Sequence, residues 1–442
     1  MVTRPESTGT ETGDDSRPLS VPEACEYVWR SALTDSTVGA IGLELESHVV
    51  DLDNIVRPVD WGALDPLPAE VRAAAGTSSV SREPGGQLEL SGPPHASSAE
   101  AITALRADVD RVRAVTAGLG IGLVPAGTDP LRPSYRTNPS GRYRAMEEYF
   151  AATDPAGCGV VAMNSTAALQ VNLEAGPRRG WAQRVAHAHR LGPVLLAISA
   201  NSPWLHGRST GWKSARQRTW LGLDRRRAGP VLDVRSLANA TDPAMAAVAF
   251  ALGAPVMFVA TEHDERAVVR HEVTFEQWAR GDVLLDRRLP TVLDLDLHLT
   301  TLFPPVRLRG YLELRFLDAT PQRWWPAVAA VTATLMDDPI AADLAAEATE
   351  GTGALWTEAA RDGLSDPRLA EATRRCLQIA TDRAPVALAA ELEELAELAD
   401  SGRSPGDLLV ERIGKVGPRA ALAESAREPR ERSVLRGTCT PD

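Results

Sequence analysis

Lysine is almost absent from this 442-residue chain. Lys213 and Lys415 are the only two lysines among 47 basic residues, so arginine supplies the other 45. Together with the many alanines, this bias indicates a GC-rich genome rather than selection for stability. The rarity makes Lys213 a candidate functional residue, with ordinary surface charge as the alternative.

Cysteine and histidine are also scarce, and neither is arranged for metal binding. The four cysteines are scattered and form no Cys-x-x-Cys pair, which argues against a disulfide framework or a cysteine-rich metal site. The eight histidines include no His-Glu-x-x-His motif. We therefore expect neither a zinc site nor a disulfide-stapled fold. The cysteines are Cys25, Cys158, Cys376 and Cys439.

Long hydrophobic runs are missing as well. The longest uncharged stretch, residues 244–260, is interrupted by Gly253 and Pro255, and it is at the lower limit for a membrane span. A helix ending near Leu252 and a buried strand Val256–Ala260 explain it better. Residues 1–19 are polar and contain no apolar run, which predicts no signal peptide.

The bulk composition is that of a large acidic enzyme. Hydrophobic residues make up 44 % of the chain, the net charge is −12 and the pI is about 5.3. This charge argues against a nucleic-acid or anionic-membrane partner and favours a cytoplasmic enzyme. No repeat or Pro/Ser linker separates two cores, so we expect one catalytic domain over residues 20–423. Residues 1–19 and 424–442 are expected to be disordered tails.

Four short segments alternate acidic or amide side chains with aliphatic ones. Strand side chains alternate with period two, so each segment predicts a strand with one polar face. If these faces meet, they form a carboxylate-lined cavity that requires cations, and oxygen ligands suit Mg²⁺. The segments are Ile41–Glu46, Gln87–Leu90, Leu169–Glu174 and Tyr311–Phe316.

The alternative for each strand is the water-exposed face of an antiparallel sheet. A water-exposed face would mix Lys, Arg and Thr among the acids. Here the polar positions carry mainly Glu, Gln, Asn and Gly, and Arg315 is the one cation. The composition therefore favours a site. The order of helices and hairpin-like strands along the chain predicts a single α+β domain.

Two long segments are rich in arginine. Residues 126–145 are predicted to form a loop that contains Arg132, Arg136, Arg142 and Arg144, more positive charge than a filler loop needs in an acidic protein. Residues 202–236 form a second segment, rich in Arg, Gly and Trp. Both segments are candidates for binding anionic substrates.

The motifs taken together resemble the glutamate–cysteine ligase family of the plant and proteobacterial type. The resemblance rests on Gly42-Leu-Glu-Leu-Glu46, Arg82-Glu-Pro-Gly-Gly-Gln-Leu-Glu-Leu-Ser91, Gln170-Val-Asn-Leu173 and Gly310-Tyr-Leu-Glu-Leu-Arg315, in this order. It extends over roughly residues 20–400 and is strongest toward the bacterial branch that serves ergothioneine synthesis.

The resemblance implies a fold and a reaction. The fold is similar to glutamine synthetase, with a bent antiparallel sheet that forms an active-site funnel and helices outside. ATP would phosphorylate the γ-carboxylate of L-glutamate, and the amine of L-cysteine would attack the acyl phosphate. The products would be γ-glutamylcysteine, ADP and phosphate.

The resemblance also implies roles for individual residues. Two or three Mg²⁺ ions would be held by oxygen ligands, which are Glu44, Glu46, Glu83, Glu89, Gln170 and Glu313. Arg315 would act with Glu313 in catalysis by stabilising the transferring phosphoryl group, with an ion pair to a nearby Glu as the alternative. Arg142 or Arg144 would bind phosphate or a glutamate carboxylate. The substrate amino acids would contact Asn172, Lys213, Arg216 and Trp220, with Arg216 as the first choice for a carboxylate.

Two rival functions stay open on the sequence. One is a carboxylate–amine ligase of the same superfamily with another amine acceptor, which would keep the metal and ATP residues. The other is a catalytically silent metal-binding protein, which would have no use for the arginine-rich segments.

Overall fold

The computed structural model describes residues 17–232, 242–261 and 266–427. These residues form one main antiparallel sheet, two small two-stranded sheets and surrounding helices. The strands are β1 (Ile41–Asp51), β2 (Ser79–Arg82), β3 (Leu88–Ser91), β4 (Ile121–Val124), β5 (Ala168–Glu174), β6 (Trp204–Leu205), β7 (Arg208–Ser209), β8 (Phe258–Ala260), β9 (Arg266–Val268), β10 (Val306–Leu308) and β11 (Tyr311–Asp318).

The helices are distributed along the whole chain and dominate its C-terminal third. They are α1 (Val21–Ala32), α2 (Ala69–Ala74), α3 (Ser98–Gly118), α4 (Gly141–Thr153), α5 (Cys158–Asn164), α6 (Trp181–Ser199), α7 (Ala215–Leu221), α8 (Arg225–Ala228), α9 (Pro243–Gly253), α10 (Phe275–Arg280), α11 (Val292–Leu299), α12 (Trp325–Asp337), α13 (Pro339–Ala348), α14 (Trp356–Arg361), α15 (Pro367–Arg383), α16 (Ala389–Asp400), α17 (Pro405–Val416) and α18 (Pro418–Arg427).

The main sheet unites all four predicted strands. Its order is β10-β11-β5-β1-β3-β2, and β4 pairs with the far end of β1. Every pairing in it is antiparallel. The predicted α+β class and antiparallel sheet are thus confirmed. Glu44 lies opposite Gln170, and Glu46 lies opposite Glu89.

One face of the sheet packs against helices, and this contact forms the core. The aliphatic half of each alternating segment is buried there, beneath α3, α6 and α12. Since successive strand side chains point to opposite faces, the acidic half of each segment is placed on the other side of the sheet. The buried aliphatic side chains are Leu43, Leu45, Leu88, Leu90, Leu169, Val171, Leu173, Leu312 and Leu314.

β1 is longer than the sequence predicts. The sequence predicts two strands here, one over Ile41–Glu46 and a second around His48–Asp51, but β1 runs unbroken for 11 residues. Its second half pairs with β4 rather than β5. There His48, Val49 and Val50 are all buried, because helix α18 covers the outer side of Val50 and Val124. Burial on both faces removes the alternation on which the prediction depended.

Several predicted boundaries also differ from the structure. Leu19 is buried and α18 continues to Arg427, so structured residues extend beyond both predicted tail boundaries. The rest of both tails lies outside the described residues. The segment 126–145 is a loop only as far as Ser140, since α4 begins at Gly141. The loop prediction is therefore wrong for Arg142 and Arg144, which lie in the first turn of this helix.

Cys25, Cys158 and Cys376 are free thiols, and Cys439 lies outside the described part of the chain. Residues 233–236, the end of the second arginine-rich segment, also lie outside the described part. Among the described residues, no helix is long and apolar enough to cross a membrane.

Candidate active site

Four glutamates converge on the polar face of the sheet, and we call them the glutamate quartet: Glu44, Glu46, Glu83 and Glu89. Glu44 and Glu46 are neighbours on one face of β1, and Glu89 on β3 lies directly opposite Glu46. Glu83 follows β2, and burial together with the charges of the other three glutamates raises its pKa. Like charges directly opposite each other destabilise a sheet, so this arrangement costs stability unless a cation is present.

Few of the quartet's hydrogen bonds come from charged donors. The Glu46 carboxylate accepts from the backbone N of Ala168 at 2.8 Å and from Nε2 of Gln170 at 3.1 Å. Glu44 accepts from Nδ2 of Asn172 at 2.8 Å. Glu89 accepts from two serine hydroxyls. Neutral amides and hydroxyls orient these carboxylates, and the charges of Arg216 and Arg315 near Glu46 only partly offset the burial of its carboxylate.

This environment raises the pKa values of the quartet carboxylates. Burial, followed by the charges of Glu89 and Glu313, raises the pKa of Glu44 to about 7. Burial likewise raises the pKa of Glu46 and Glu89, and Glu83 is raised well above the ordinary value. The cause is the desolvation of several anions at one place, and a bound cation would relieve it.

The turn Glu83–Gly86 is fixed by close packing against α5. Gly85 packs so closely on α5 that an added Cβ would lie 2.0 Å from the carbonyl oxygen of Asn164. Gly86 has a φ of +89°, a conformation that favours glycine. Gln87 donates from Nε2 to the carbonyl of Thr166 at 2.8 Å. The turn is thereby fixed against α5 and holds Glu83 toward the quartet.

The other half of the face contains an ion-paired group, which we call the arginine clamp: Glu313 between Arg307 and Arg315. Arg307 on β10 lies opposite Glu313 and donates from Nε and Nη2 to its two oxygens, both at 2.6 Å. Arg315 also pairs with Glu313, and its Nη1 donates to Oε1 of Gln170 at 2.7 Å. Arg315 therefore links the clamp to the quartet through Gln170.

Glu313 behaves in the opposite way to the quartet. It is only 2 % exposed, and burial by itself would raise its pKa, but the guanidinium groups of Arg307 and Arg315 lower the pKa to about 2. The ion pair predicted as the structural alternative for Arg315 is thus present. A carboxylate held by two arginines stays ionised over the whole physiological pH range.

The predicted phosphate-binding arginines occupy different environments. Arg142 is half-buried and donates from Nη1 and Nη2 to the hydroxyl and carbonyl of Thr300, at 2.6 and 3.0 Å. Its charge also interacts with Glu83 and Arg307, which places it beside the acidic face. Arg144 is exposed on the outer side of α4. The structure therefore brings Arg142, and not Arg144, toward the site.

The predicted substrate residues of the 202–232 segment are also divided. Lys213 pairs with Asp407 at the start of α17, and this ion pair gives it a structural contact. Trp220 packs against Phe303 with 5.5 Å between ring centroids. Arg216 is 4 % exposed and donates from Nη2 to the carbonyl of Arg315 at 2.6 Å. Of the three, Arg216 has a direct contact with the arginine clamp.

A family model for glutamate–cysteine ligase family 2 matches residues 40–435. The chain belongs to the glutamate–cysteine ligase family. The matched range contains every strand of the main sheet and therefore both the quartet and the clamp. The resemblance drawn from the four motifs is confirmed.

Curated members of this family resemble the chain over most of its length. Glutamate–cysteine ligase EgtA of Mycolicibacterium smegmatis is 46 % identical over 408 residues, which cover 92 % of this chain and 95 % of that protein. EgtA of Mycobacterium tuberculosis H37Rv is 46 % identical over 402 residues, 90 % of this chain and 92 % of that protein. The chloroplastic glutamate–cysteine ligase of Arabidopsis thaliana is 30 % identical over 71 % of this chain and 58 % of its own length.

A solved structure shares the fold. The glutamate–cysteine ligase of Francisella tularensis in complex with AMP matches with a TM-score of 0.54 and 13 % identity, covering 89 % of this chain and 88 % of that one. At this identity the likeness shows the fold alone, and it agrees with the antiparallel sheet and outer helices described above.

The donor set on the acidic face fits Mg²⁺ in its chemistry. Its atoms are all carboxylate or amide oxygens, which Mg²⁺ prefers. Oδ1 of Asn172, beside Glu44, is a buried acceptor that has no hydrogen-bond partner in the described structure. As the side chains stand, no three acidic, histidine or cysteine groups of the described residues are close enough to hold an ion. Binding would therefore draw the quartet carboxylates together.

Three residues of the candidate site were not predicted from the sequence. Arg307 faces Glu313 because Arg309 and Gly310 form the turn of a tight hairpin, so the spacing around Gly310 could have revealed it. Tyr143 on α4 lies near Glu83, and burial together with that charge raises its pKa. Asp318 at the end of β11 is fully buried, and its Oδ1 lies 3.9 Å from Nη1 of Arg216. No local sequence pattern marks Tyr143 or Asp318.

Proposed function

We propose that this protein joins the γ-carboxylate of L-glutamate to the amine of L-cysteine in an ATP-driven reaction, giving γ-glutamylcysteine, ADP and phosphate. One observation carries the proposal: a member of this ligase family has four neighbouring glutamates with raised pKa values and a two-arginine clamp on a single face of its sheet. Its 46 % identity to proteins named glutamate–cysteine ligase EgtA supports the choice of substrates. We assign the reaction to the cytoplasm and its product to ergothioneine synthesis.

Glutamate must first be activated, because a carboxylate is a poor electrophile. An oxygen of its γ-carboxylate attacks the γ-phosphorus of ATP, the bond from this phosphorus to the bridging oxygen breaks, and ADP leaves. Negative charge spreads over the transferring phosphoryl group. Arg315 provides a fixed positive charge for that group, since Glu313 and Gln170 already hold its guanidinium in place. Such preorganised charge lowers the barrier most when it needs no rearrangement.

The quartet, with Gln170 and Glu313 at its border, would hold the magnesium ions. When bound, these ions neutralise the phosphates and so allow two anions to approach. The chain itself orients the carboxylates: the backbone of Ala168, the amides of Gln170 and Asn172, and two serine hydroxyls each fix one of them. Arg142, anchored on Thr300, would bind a phosphate from the α4 side.

In the second step the amine of cysteine attacks the acyl carbon, the C–N bond forms, phosphate leaves with the electrons of the C–O bond, and the nitrogen releases a proton to the departing phosphate or to water. Asn172 lies between Glu44 and Glu313 on the face, where its unpartnered Oδ1 would accept a hydrogen bond from a substrate ammonium group. Tyr143 and Trp220 line one apolar cluster together with Met257 and Phe303. We assign this cluster to the cysteine side chain.

The decisive experiment measures ADP release from the purified protein with Mg²⁺ and ATP. Glutamate is added alone and then with a panel of amines that includes cysteine, alanine and 2-aminobutyrate. Release that requires glutamate and is greatest with cysteine is the expected result. Arg323→Ala is a matched control for active-site arginine variants, since Arg323 forms an exposed ion pair with Glu394 away from the sheet face.

Other outcomes would change the assignment in defined ways. Glutamate-dependent release with a different preferred amine would keep the mechanism and replace the acceptor. Absence of ADP under every condition would contradict the ligase proposal and leave a metal-binding role for the quartet.

A further inference from the structure

β11 contains a bulge at the residue proposed to contact the phosphoryl group. Leu314 lies opposite Val171 and Leu317 lies opposite Leu169, so β11 has one more residue than β5 over this interval. The extra residue falls in the Arg315–Phe316 pair. Bulges interrupt the ladder locally and redirect side chains. The bulge therefore decides the direction in which the Arg315 side chain leaves the strand.

The backbone of Arg315 at the bulge is held by groups outside the β5 ladder. Its N–H donates to the carbonyl of Pro305 at 3.0 Å. Its carbonyl accepts from Nη2 of Arg216 at 2.6 Å. A buried carbonyl without a ladder partner needs another donor, and Arg216 supplies it. The conformation of the bulge thus depends on a side chain from another part of the chain.

Arg216 is itself anchored by a buried carboxylate. Its Nη1 lies 3.9 Å from Oδ1 of Asp318, which is 0 % exposed. Asp318 accepts three further hydrogen bonds, from the N of Asn201 at 2.9 Å and from the hydroxyls of Ser202 and Ser214 at 2.6 and 2.9 Å. The Ser202 hydroxyl also accepts from the backbone N of Arg216 at 3.1 Å. Asp318 therefore lies beside the guanidinium of Arg216 and is also linked to the backbone N–H of Arg216 through the Ser202 hydroxyl.

Asp318 has no room to move. A Cβ on Gly127 would lie 2.5 Å from its Cγ, so the 127 backbone lies directly against the carboxylate. Three hydrogen-bond donors and close packing hold the Asp318 carboxylate in one position. An ion pair with Arg216 alone would not require such a fixed position. Such a network is typical of a residue whose position matters to another group.

We propose that Asp318 is a positioning residue which acts through Arg216 to hold the β11 bulge and so aims Arg315 at the transferring phosphoryl group. The inference rests on the proposed function for Arg315 but not on the identity of the amine acceptor. It gives Arg216 a different role from the direct substrate contact predicted from the sequence. A direct contact would use the Nε and Nη1 N–H groups of Arg216, which are buried and donate to no hydrogen-bond acceptor in the described structure.

Steady-state kinetics of Asp318→Asn test the proposal. This change keeps the shape of the side chain and removes the charge that holds Arg216. We expect kcat to fall about tenfold while the KM values for glutamate and ATP stay within about twofold. The change disturbs the orientation of Arg315 toward the phosphoryl group but not the affinity for substrates. In the double variant Asp318→Asn/Arg216→Met, the decrease should equal that of Arg216→Met alone, because residues acting in one chain are not additive.

Hydrogen exchange of the peptide containing residues 311–318 provides a readout that is independent of activity. The bulge amides should exchange faster in Asp318→Asn than in the natural protein. Asp337→Asn is the matched control, since Asp337 is a half-buried carboxylate paired with Arg184 on α6. It should reduce thermal stability without changing kcat or the exchange of residues 311–318. If Asp318→Asn does not fold, Ser202→Ala removes one link of the same network and should give a smaller effect of the same kind.

Three results would overturn the proposal. A KM for an amino-acid substrate that rises while kcat is retained would make Arg216 a direct substrate ligand. Additive losses in the double variant would separate Asp318 from Arg216. Unchanged exchange of residues 311–318 would remove the structural link. If the natural protein shows no glutamate-dependent ADP release, the proposed function fails, whereas the exchange result still decides whether Asp318 holds the bulge.

Discussion

The glutamate quartet and the arginine clamp lie side by side on one sheet face, but they solve opposite electrostatic problems. In the quartet, burial and mutual repulsion raise the pKa of Glu44 to about 7. In the clamp, Arg307 and Arg315 overcome the burial of Glu313 and lower its pKa to about 2. The difference comes from the neighbours, because both groups are carboxylates on the polar face of one sheet, Glu44 on β1 and Glu313 on β11, with β5 between them.

This contrast indicates which parts of the site are complete without ligands. The clamp contains its own counter-charges and is preorganised. The quartet has neutral hydrogen-bond donors, and the nearby charges of Arg315 and Arg216 do not offset the burial of four carboxylates, so it favours cations from solution. A ligase with this division would keep its phosphoryl-stabilising arginine in place at all times and would assemble its metal cluster only with nucleotide.

The largest effect should follow from breaking the quartet. Glu46→Gln keeps the hydrogen bonds to Ala168 and Gln170 sterically possible but removes one anionic ligand. We expect turnover to fall about a thousandfold, in the range found when a key electrostatic group is lost. ADP release at saturating Mg²⁺ measures it. Glu371→Gln, at an exposed ion pair on α15, is the control. Turnover close to normal would remove Glu46 from the metal site.

A somewhat smaller loss is expected on the clamp side. Arg315→Lys keeps the positive charge but loses the planar fork that contacts Glu313 and Gln170 together. We expect kcat to fall about a hundredfold with thermal stability little changed. Single-turnover measurement of ADP formation separates this loss from slow product release. If Arg315→Lys retained full kcat, the ion pair with Glu313 would be structural only.

Arg307→Met should make the two regions more alike. Glu313 would then keep only Arg315, and its pKa should rise from about 2 toward that of an ordinary buried glutamate. We expect turnover to fall about tenfold at neutral pH. Because Glu313 would become protonated at a higher pH, the acid limb of the rate profile should also move upward. An unshifted acid limb would show that Glu313 does not control activity.

The mildest test uses stability rather than activity. Glu44 has an ordinary pKa of 4.5 and is raised to about 7 in the folded protein, so the folded state binds more protons between these values. Stability should therefore fall as the pH rises through this window. Mg²⁺ competes with those protons and should raise Tm by about 2–5 °C at pH 8 and by less at pH 5.5. An equal increase at both pH values, or one retained in Glu46→Gln, would contradict metal binding by the quartet.

Period-two alternation made the central sheet predictable from the sequence. It located the strands that carry Glu44, Glu89, Gln170 and Glu313, because each has one apolar and one polar face. It did not show that the strand expected around His48–Asp51 continues the first one, because both faces of β1 are buried there. A short buried strand was expected at Ile121–Pro125, where β4 lies, but its pairing with β1 depends on α18 covering the far side, which no local pattern shows.

Composition and contacts between distant segments explain the other differences. Arg142 was predicted to lie in a loop because residues 126–145 are rich in Pro, Gly and Arg, but α4 begins at Gly141. Lys213 was singled out for its rarity, and its ion pair with Asp407 joins it to a residue 194 positions further along the chain. Asp318 matters through side chains from residues 201–216. None of these partners follows from local spacing.

The strand order also has a consequence for synthesis on the ribosome. β1 pairs with β5, and β5 pairs with β11, so the site cannot close until residue 318 has emerged. At about 5–20 residues per second, β1 waits roughly 15–50 s for β11. During this interval its long edge could pair with a second nascent copy. In an antiparallel pairing centred on Leu45, Glu44 and Glu46 of the two copies would face each other. The same repulsion that later requires a cation therefore protects the unfinished chain from aggregation.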